Sequence, residues 1–347
     1  MNLTHTFAAT AILLAGALSA EPPSSKPKSA GDPTPSASPA PVGKLVDLGG
    51  RRLHAIISGK GSPTIVVENG SGAFSIDWAL VQPRVAKFTQ ICTYDRAGSA
   101  WSDPGPVMDG IEQTVDDLHL MLQKAGVQPP YVLVGASLGG LFVRAYQRRN
   151  PDQVVGLVLV DATHDEGFGF GSKLLPFMSS DDLQRLFESF RQKPPPPVER
   201  PTAVKDPIDR LPEELQAARL WADRKFQANR DFSRGLVTVD SWRQEMIALR
   251  RQRLSEAHPL SNLPLTVLAR TRDSGARARR LQTELAALSR VGRLVWAENS
   301  GHEIHLYRPE VVVEAIREMV ASVRTNGTRS RPNQNLGVRP AKRFHDR

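Results

Sequence analysis

One serine of the sequence lies between two glycines, at a point where a strand pattern gives way to a helix pattern. Residues 131–140 read YVLVGASLGG, and Ser137 is the centre of a Gly-x-Ser-x-Gly pattern. A serine hydroxyl is a good nucleophile only when it is exposed, oriented and paired with a base. A sharp turn from strand to helix exposes and orients it, and leaves little room for side chains at Gly135 and Gly139. The pattern therefore predicts a nucleophile at the carboxyl edge of a sheet.

Attack on a carbonyl group also requires N–H groups that stabilise the oxyanion. The N–H of Leu138 opens the helix after the serine, where N–H groups lack helical partners. The stretch Thr64–Glu68 has the composition of a strand, and the glycine-rich turn NGSG follows it. We expect the N–H of Ser71, in that turn, to be the second donor. A plain flexible loop is the alternative.

A base is expected near the end of the chain, between the last strand and the last helix. His302 follows a glycine in the stretch NSGHEIHL, which leaves it free to reach the edge of the sheet. His305 is the alternative, and it stands where apolar packing resumes. This histidine comes after the serine and near the end of the chain, which is one of the known chain orders of a serine nucleophile and its base. We therefore predict that His302 is the base.

Two aspartates could orient that histidine and stabilise its charged form. Asp161 ends the run LVLVD, and Asp273 follows a later strand pattern. Both satisfy the chain order serine, aspartate, histidine, and both could equally cap turns. The strand before Asp273 is expected to lie nearer the loop of the histidine. Against this, Arg270 and Arg272 could pair with Asp273 and hold it at the surface.

The elements that position these residues alternate between short apolar runs and amphipathic stretches. Several runs are continuously apolar, which is typical of strands buried on both faces. Helical spacing of apolar residues begins at Ile111 and again near Pro309. Strands are predicted at 52–57, 64–68, 90–94, 131–135, 154–160, 265–269 and 293–297. The alternation predicts an α/β fold, a mostly parallel sheet with helices on both faces.

The alternating pattern predicts one domain over residues 44–323, and one long segment interrupts it. Between about residues 162 and 262 the sequence reads as helices without strands, with four consecutive prolines at 194–197. An insertion of that size between two sheet strands predicts a helical cap over the site. The alternative is a structural excursion with no gating role.

Both ends of the chain differ from this domain. Residues 1–20 contain a 14-residue apolar run that ends in small residues, as a secretory signal peptide does, although no Lys or Arg precedes it. Residues 21–43 are rich in Pro and Ser and predict a disordered linker. Residues 324–347 predict a basic disordered tail. We therefore expect export to the periplasm or the medium, without a stable membrane anchor.

The distribution of charge argues against nucleic acid as a partner. The net charge is +9, but residues 324–347 hold seven Lys or Arg against one Asp, whereas residues 45–323 carry only +2. The basic character therefore belongs mostly to the tail. The single cysteine, Cys92, excludes an intramolecular disulfide and a thiolate metal cluster, and it is predicted to be a small core residue.

Taken together, these residues resemble the α/β-hydrolase superfamily over roughly residues 45–323. The resemblance is strongest to bacterial members with the motif Tyr-Asp-Arg-Ala-Gly-x-Gly-Trp-Ser, which reads YDRAGSAWS at 94–102. Ala100 replaces the usual second Gly of that motif. Asn69 stands before Gly70 where many members have His. The commonest position of the acid in the superfamily matches Asp273, whereas members with the Asp-Arg-Ala-Gly motif resemble those that keep it at the position of Asp161.

The resemblance implies acyl transfer to water, because the nucleophile is Ser and not Asp. We expect Ser137, His302 and Asp161, with Asp273 as the alternative acid, to hydrolyse a small or medium carboxylic ester or a lactone. A peptidase or a C–C bond hydrolase of the same fold is a second possibility, and a non-catalytic ligand-binding protein is a third. The expected partner is a small ester-like molecule, and no metal or organic cofactor is implied.

Overall fold

The computed structural model describes residues 38–105, 110–166, 202–228 and 232–329, without the side chains of 227, 228, 232–243 and 326–329. The predicted signal peptide lies outside the described residues. So do most of the predicted linker and the first part of the predicted cap. The predicted tail is described only to Arg329, and up to there it continues the last helix.

Eight strands form one sheet in the order β1-β2-β4-β3-β5-β6-β7-β8. From β4 to β8 all neighbours are parallel, and β2 pairs antiparallel with both β1 and β4. The carboxyl ends of β3, β5, β6, β7 and β8 therefore meet at one edge. The strands are β1 (Lys44–Asp47), β2 (Arg52–Ser58), β3 (Thr64–Glu68), β4 (Ile91–Tyr94), β5 (Tyr131–Ala136), β6 (Val154–Val160), β7 (Leu265–Arg270) and β8 (Arg293–Ala297).

Side chains of the central strands are buried on both faces of the sheet. In β5, Leu133 joins one apolar cluster, while Val132 and Val134 join the cluster on the opposite face. This alternation follows from the two-residue period of a strand, and it explains why the sequence run is continuously apolar. Cys92 of β4 is buried, and burial raises the pKa of its thiol to about 12.

Helices cover both faces of the sheet. Helices α2, α3 and α6 contribute to one apolar cluster, and α1, α7 and α8 contribute to the other. The helices are α1 (Gln82–Val85), α2 (Ile111–Lys124), α3 (Gly139–Arg149), α4 (Glu213–Ala228), α5 (Phe232–Ser255), α6 (Ala276–Ala286), α7 (Ile304–Tyr307) and α8 (Pro309–Arg329). None of the described helices combines the length and the apolar character that crossing a membrane requires.

The helical segment between β6 and β7 has helices α4 and α5 in its described part, and its described residues contain no strand. Trp221 of α4 packs against Trp101, with ring centroids 5.4 Å apart. On the same helix, the ammonium of Lys225 donates to the carbonyl oxygens of Ala100 (2.5 Å) and Ser102 (3.2 Å). Helix α4 is therefore anchored to the segment that follows β4.

Candidate active site

Ser137 lies between the end of β5 and the start of α3, in the left-handed backbone region with φ of 50°. Its N–H donates to the carbonyl of Val160 (3.0 Å), and its carbonyl accepts from the N–H of Thr163 (2.8 Å). The turn is thus fixed to the end of the neighbouring strand β6. Ser137 is partly exposed although the residues on either side are buried. This is the strained, exposed turn that the sequence pattern predicted.

The glycines around Ser137 are required by close backbone contacts. A Cβ atom at Gly139 would lie 2.2 Å from the carbonyl oxygen of Glu68, and one at Gly135 would lie 2.7 Å from that of Gly139. Both distances are shorter than non-bonded contacts between a Cβ atom and an oxygen in real proteins. A third glycine, Gly140, faces Ala162, whose Cβ would be 2.5 Å from an added Cβ. The turn therefore sits directly against the ends of β3 and β6.

The structure brings Asp161 and not Asp273 against His302. Oδ2 of Asp161 lies 2.5 Å from Nδ1 of His302, and Asp161 is only 8% exposed. Asp161 follows β6 with φ of 41°, a conformation that Asp tolerates better than most residues. Asp273 also has a positive φ, of 53°, but it is exposed.

The loop after β8 carries His302 across the end of β7 to reach β6. In this loop the N–H of Asn299 donates to Oγ1 of Thr271 (3.0 Å), and the carbonyl of Ser300 accepts from the N–H of Arg272 (3.0 Å). These bonds fold the loop over the strand that lies between. The predicted proximity of His302 to the end of β7 is therefore correct for the loop backbone, but the imidazole extends one strand further.

Arg270 contacts the acid in a way that differs from the prediction. Its N–H donates to Oδ1 of Asp161 (3.3 Å), and its Nε lies 3.5 Å from Oδ2. From the sequence, Arg270 and Arg272 could have paired with Asp273. The guanidinium of Arg272 instead stacks over the ring of Tyr307, 5.3 Å from its centroid. The carboxylate of Asp161 therefore accepts one backbone hydrogen bond and faces one guanidinium, in addition to the imidazole.

His305, the alternative base, is placed elsewhere. It is buried and stacks on Trp78, with ring centroids 4.7 Å apart and 8° between the planes. Burial, with smaller contributions from the nearby His302 and Arg219, lowers the pKa of His305 to about 3. It is therefore a neutral core residue at physiological pH.

The turn after β3 lies beside the serine. A Cβ atom at Gly70 would be 3.1 Å from Cβ and 3.6 Å from Oγ of Ser137. Within the described part of the chain, neither Leu138 nor Ser71 donates its N–H to a protein acceptor. Over the same residues, the Ser137 hydroxyl has no hydrogen-bond partner. Catalytic hydrogen bonds are often not closed in the absence of substrate.

Arg96 orients this turn, a role that the sequence motif did not reveal. Its guanidinium donates to the carbonyls of Asn69 (2.6 Å) and Gly70 (2.6 Å) and to Oε1 of Glu68 (2.5 Å). In a trans peptide the C=O and N–H groups point in opposite directions. Because the carbonyl of Gly70 faces Arg96, the N–H of Ser71 in the same peptide points away from the guanidinium.

A buried polar network supports the arginine. Burial raises the pKa of Glu68, and the adjacent Arg96 opposes that shift. The Tyr94 hydroxyl donates to Glu68 as well. The side chain of Asn69, where relatives have His, donates to the carbonyl of Tyr94 (2.9 Å) and accepts from Nε1 of Trp78 (2.8 Å). The turn is thus fixed by Tyr94 and Arg96 of the YDR motif together with Glu68, Asn69 and Trp78.

The chain is similar in sequence to a known protein family and to individual proteins of known sequence. The profile described as "Alpha/beta hydrolase family" matches residues 65–315. An "AB hydrolase superfamily protein" of Gibberella zeae is 24% identical over 287 residues, which are 76% of this chain and 87% of that protein. A protein of Hormonema carpetanum described as "Probable transporter efuK" is 34% identical over 125 residues. That match covers 34% of this chain and only 18% of the relative's own length.

Solved structures with the same fold include hydrolases of three kinds. An esterase from Thermogutta terrifontis has a TM-score of 0.57 and 19% identity, covering 80% of this chain and 97% of its own. Est816, described as an N-acyl homoserine lactone degrading enzyme, has a TM-score of 0.54 and 19% identity, with 79% and 99% covered. The meta-cleavage product hydrolase CumD from Pseudomonas fluorescens has a TM-score of 0.51 and 18% identity, with 80% and 98% covered. At these identities the likeness establishes the fold alone.

Proposed function

Because the chain belongs to the alpha/beta hydrolase family, we propose that it hydrolyses small or medium carboxylic esters, lactones included, through an acyl-enzyme on Ser137. The observation that carries the proposal is the pair formed by His302 and the buried Asp161. It lies at the sheet edge where Ser137 is held in its strained turn. A carboxylate that accepts the Nδ1–H leaves the Nε2 lone pair free to take a proton.

The proposed reaction follows from these positions. The imidazole of His302 removes the hydroxyl proton as Ser137 Oγ attacks the carbonyl carbon, and Asp161 stabilises the imidazolium. The N–H groups of Leu138 and Ser71 donate to the oxyanion. The imidazolium then gives its proton to the departing alkoxide. A water molecule, deprotonated by the same imidazole, then attacks the acyl-enzyme. The bond from the acyl carbon to Ser137 Oγ breaks, the imidazolium returns its proton to Oγ, and the acid is released.

A substrate panel tests the reaction class. We expect p-nitrophenyl esters of short and medium acids to be turned over, with Ser137→Ala inactive and folded. Amino-acid anilides test the peptidase alternative. Vinylogous 1,5-diketones test C–C bond hydrolysis. This reaction is the second candidate because the meta-cleavage product hydrolase CumD shares the fold. A folded protein that turns over none of these would favour the ligand-binding alternative.

We also propose that the protein is exported and that residues up to about 20 are removed. The support is the apolar run of residues 7–20 followed by a stretch rich in Pro and Ser. A small-molecule ester outside the cytoplasm would then be the substrate.

A further inference from the structure

Helix α4 of the cap contacts the loop that contains the proposed second oxyanion donor. This loop, Ser71 to Asp77, follows β3 and ends in a 3-10 turn. Arg219 of α4 is 6% exposed. Its Nε donates to Oδ1 of Asp77 (2.7 Å), and its Nη2 donates to the carbonyl of Gly72 (3.1 Å). The guanidinium also stacks over the ring of Phe74, 4.5 Å from its centroid.

Asp77 connects the arginine to the backbone of the loop. Its Oδ2 accepts the N–H of Phe74 (3.0 Å), and its own N–H donates to the carbonyl of Phe74 (3.0 Å). The carboxylate is 1% exposed, and burial raises its pKa to about 6, although Arg219 stabilises the charged form. Asp223, one turn further along α4, lies 2.5 Å from Nη1 of Arg219. The pairing therefore depends on the cap helix being in place.

Two arginines hold the carbonyls on either side of Ser71. Arg96 of the core binds the carbonyl of Gly70, and Arg219 of the cap binds that of Gly72. Gly72 itself has φ of 69°, in the left-handed backbone region. With only Arg96 in place, the peptide that carries the Ser71 N–H would be fixed at one end. With both in place, the segment from Gly70 to Gly72, which contains Ser71, is held at both ends.

We propose that Arg219 is a positioning residue through which the cap holds the Ser71 N–H in line for the oxyanion. The inference rests on the proposed function, because it assumes that Ser71 donates to a tetrahedral intermediate. Arg219 would not touch the substrate. Its effect would appear in stabilisation of the transition state and not in substrate binding. The cap would then contribute to catalysis as well as to the shape of the pocket.

The test compares Arg219→Ala and Arg219→Lys with Lys225→Ala. Lys225 is the matched control because it anchors the same helix through carbonyls of a different segment, at Ala100 and Ser102. A displaced hydrogen-bond donor in an active site lowers the rate about 10²-fold. We expect kcat for p-nitrophenyl esters to fall about 10²-fold in Arg219→Ala, with KM changed less than about threefold. Arg219→Lys should lose about tenfold, since one ammonium cannot hold both acceptors in a fork. Lys225→Ala should keep its kcat.

A second measurement separates a role in positioning the Ser71 N–H from a role that only anchors helix α4. A trifluoromethyl ketone adds to a reactive serine to form a tetrahedral oxyanion, so its Ki should rise in parallel with the fall in kcat. Lys225→Ala should leave that Ki unchanged. If the folded Arg219 variants match Lys225→Ala in kcat and Ki, the positioning role is wrong and the proposed function stands. Should Arg219→Ala not fold, Arg219→Lys decides by the same criteria. A folded wild-type protein inert to both ester and ketone would overturn the proposed function and this inference together.

Discussion

Replacing Asp161 by asparagine should lower kcat/KM for ester hydrolysis by about 10⁴-fold, which is about 5.4 kcal/mol in the barrier. Oδ1 of Asp161 accepts the N–H of Arg270 (3.3 Å), while Oδ2 faces Nδ1 of His302 (2.5 Å). The backbone donor cannot swing aside, so the amide oxygen of the asparagine should occupy the Oδ1 position. The amide NH₂ then donates to Nδ1, and the ring proton moves to Nε2. That tautomer cannot accept the proton of Ser137.

The substitution should leave the fold intact, because Asn tolerates the left-handed conformation that residue 161 adopts. The matched control is Asp273→Asn, at an exposed position with a similar φ of 53°. Hydrolysis of p-nitrophenyl butyrate and thermal unfolding should be measured for both variants. The control should keep its rate within about threefold, since surface substitutions have small effects. The reverse ranking, or a folded Asp161→Asn within tenfold of wild type, would refute the assignment of the acid.

Three further outcomes are expected. Gly139→Ala should lower the unfolding free energy by about 3 kcal/mol, because the added Cβ would collide with a carbonyl oxygen of β3. The control is Gly275→Ala, where nothing lies within 4 Å of an added Cβ and φ is negative. It should leave the unfolding free energy unchanged in the same denaturant titration. His305→Phe should stay active, in contrast to His302→Ala. The folded state disfavours protonation of His305, so the contribution of neutral His305 to stability is present above pH ~6.5 and is lost as the pH falls towards 3. Between pH 7 and 4 the free energy of unfolding of the wild type should therefore fall by ~3 kcal/mol more than that of His305→Phe. Equal losses in the two proteins would contradict this. N-terminal sequencing of the native protein should find a start near Glu21, and an intact Met1 on a cytosolic protein would end the export proposal.

The elements with strong local patterns were predictable. The seven predicted strands agree with β2 to β8 to within one residue at each end, because continuously apolar runs of this length are buried on both faces. The short strand β1 was missed although a signal was present. Gly49 and Gly50 both have a positive φ in the turn that pairs β1 with β2, and a Gly-Gly dipeptide is a known hairpin signal.

The parts of the site that depend on contacts between distant residues were not predictable. Chain order left two aspartates as candidates for the acid that orients His302. Which of them reaches the imidazole depends on how far the loop of His302 folds back over β7. The role of Arg96 was hidden because a motif names its residues without saying which carbonyls they bind. Arg219 carried no signal, since its partner Asp77 lies 142 residues earlier in the chain. Ala100, which replaces a usual Gly, has φ of 40°, and this conformation explains why Gly is common there.

The nucleophilic role of Ser137 is tested most directly by the mass of the protein after treatment with a fluorophosphonate, which phosphonylates a serine only when that serine is activated. The wild-type protein should gain one phosphonyl group, peptide mapping should assign it to Ser137, and ester hydrolysis should be lost in proportion. Ser137→Ala should gain no mass and show no hydrolysis. A folded wild-type protein that stays unlabelled, or a Ser137→Ala variant that keeps most of the wild-type rate, would contradict the proposed serine hydrolase mechanism.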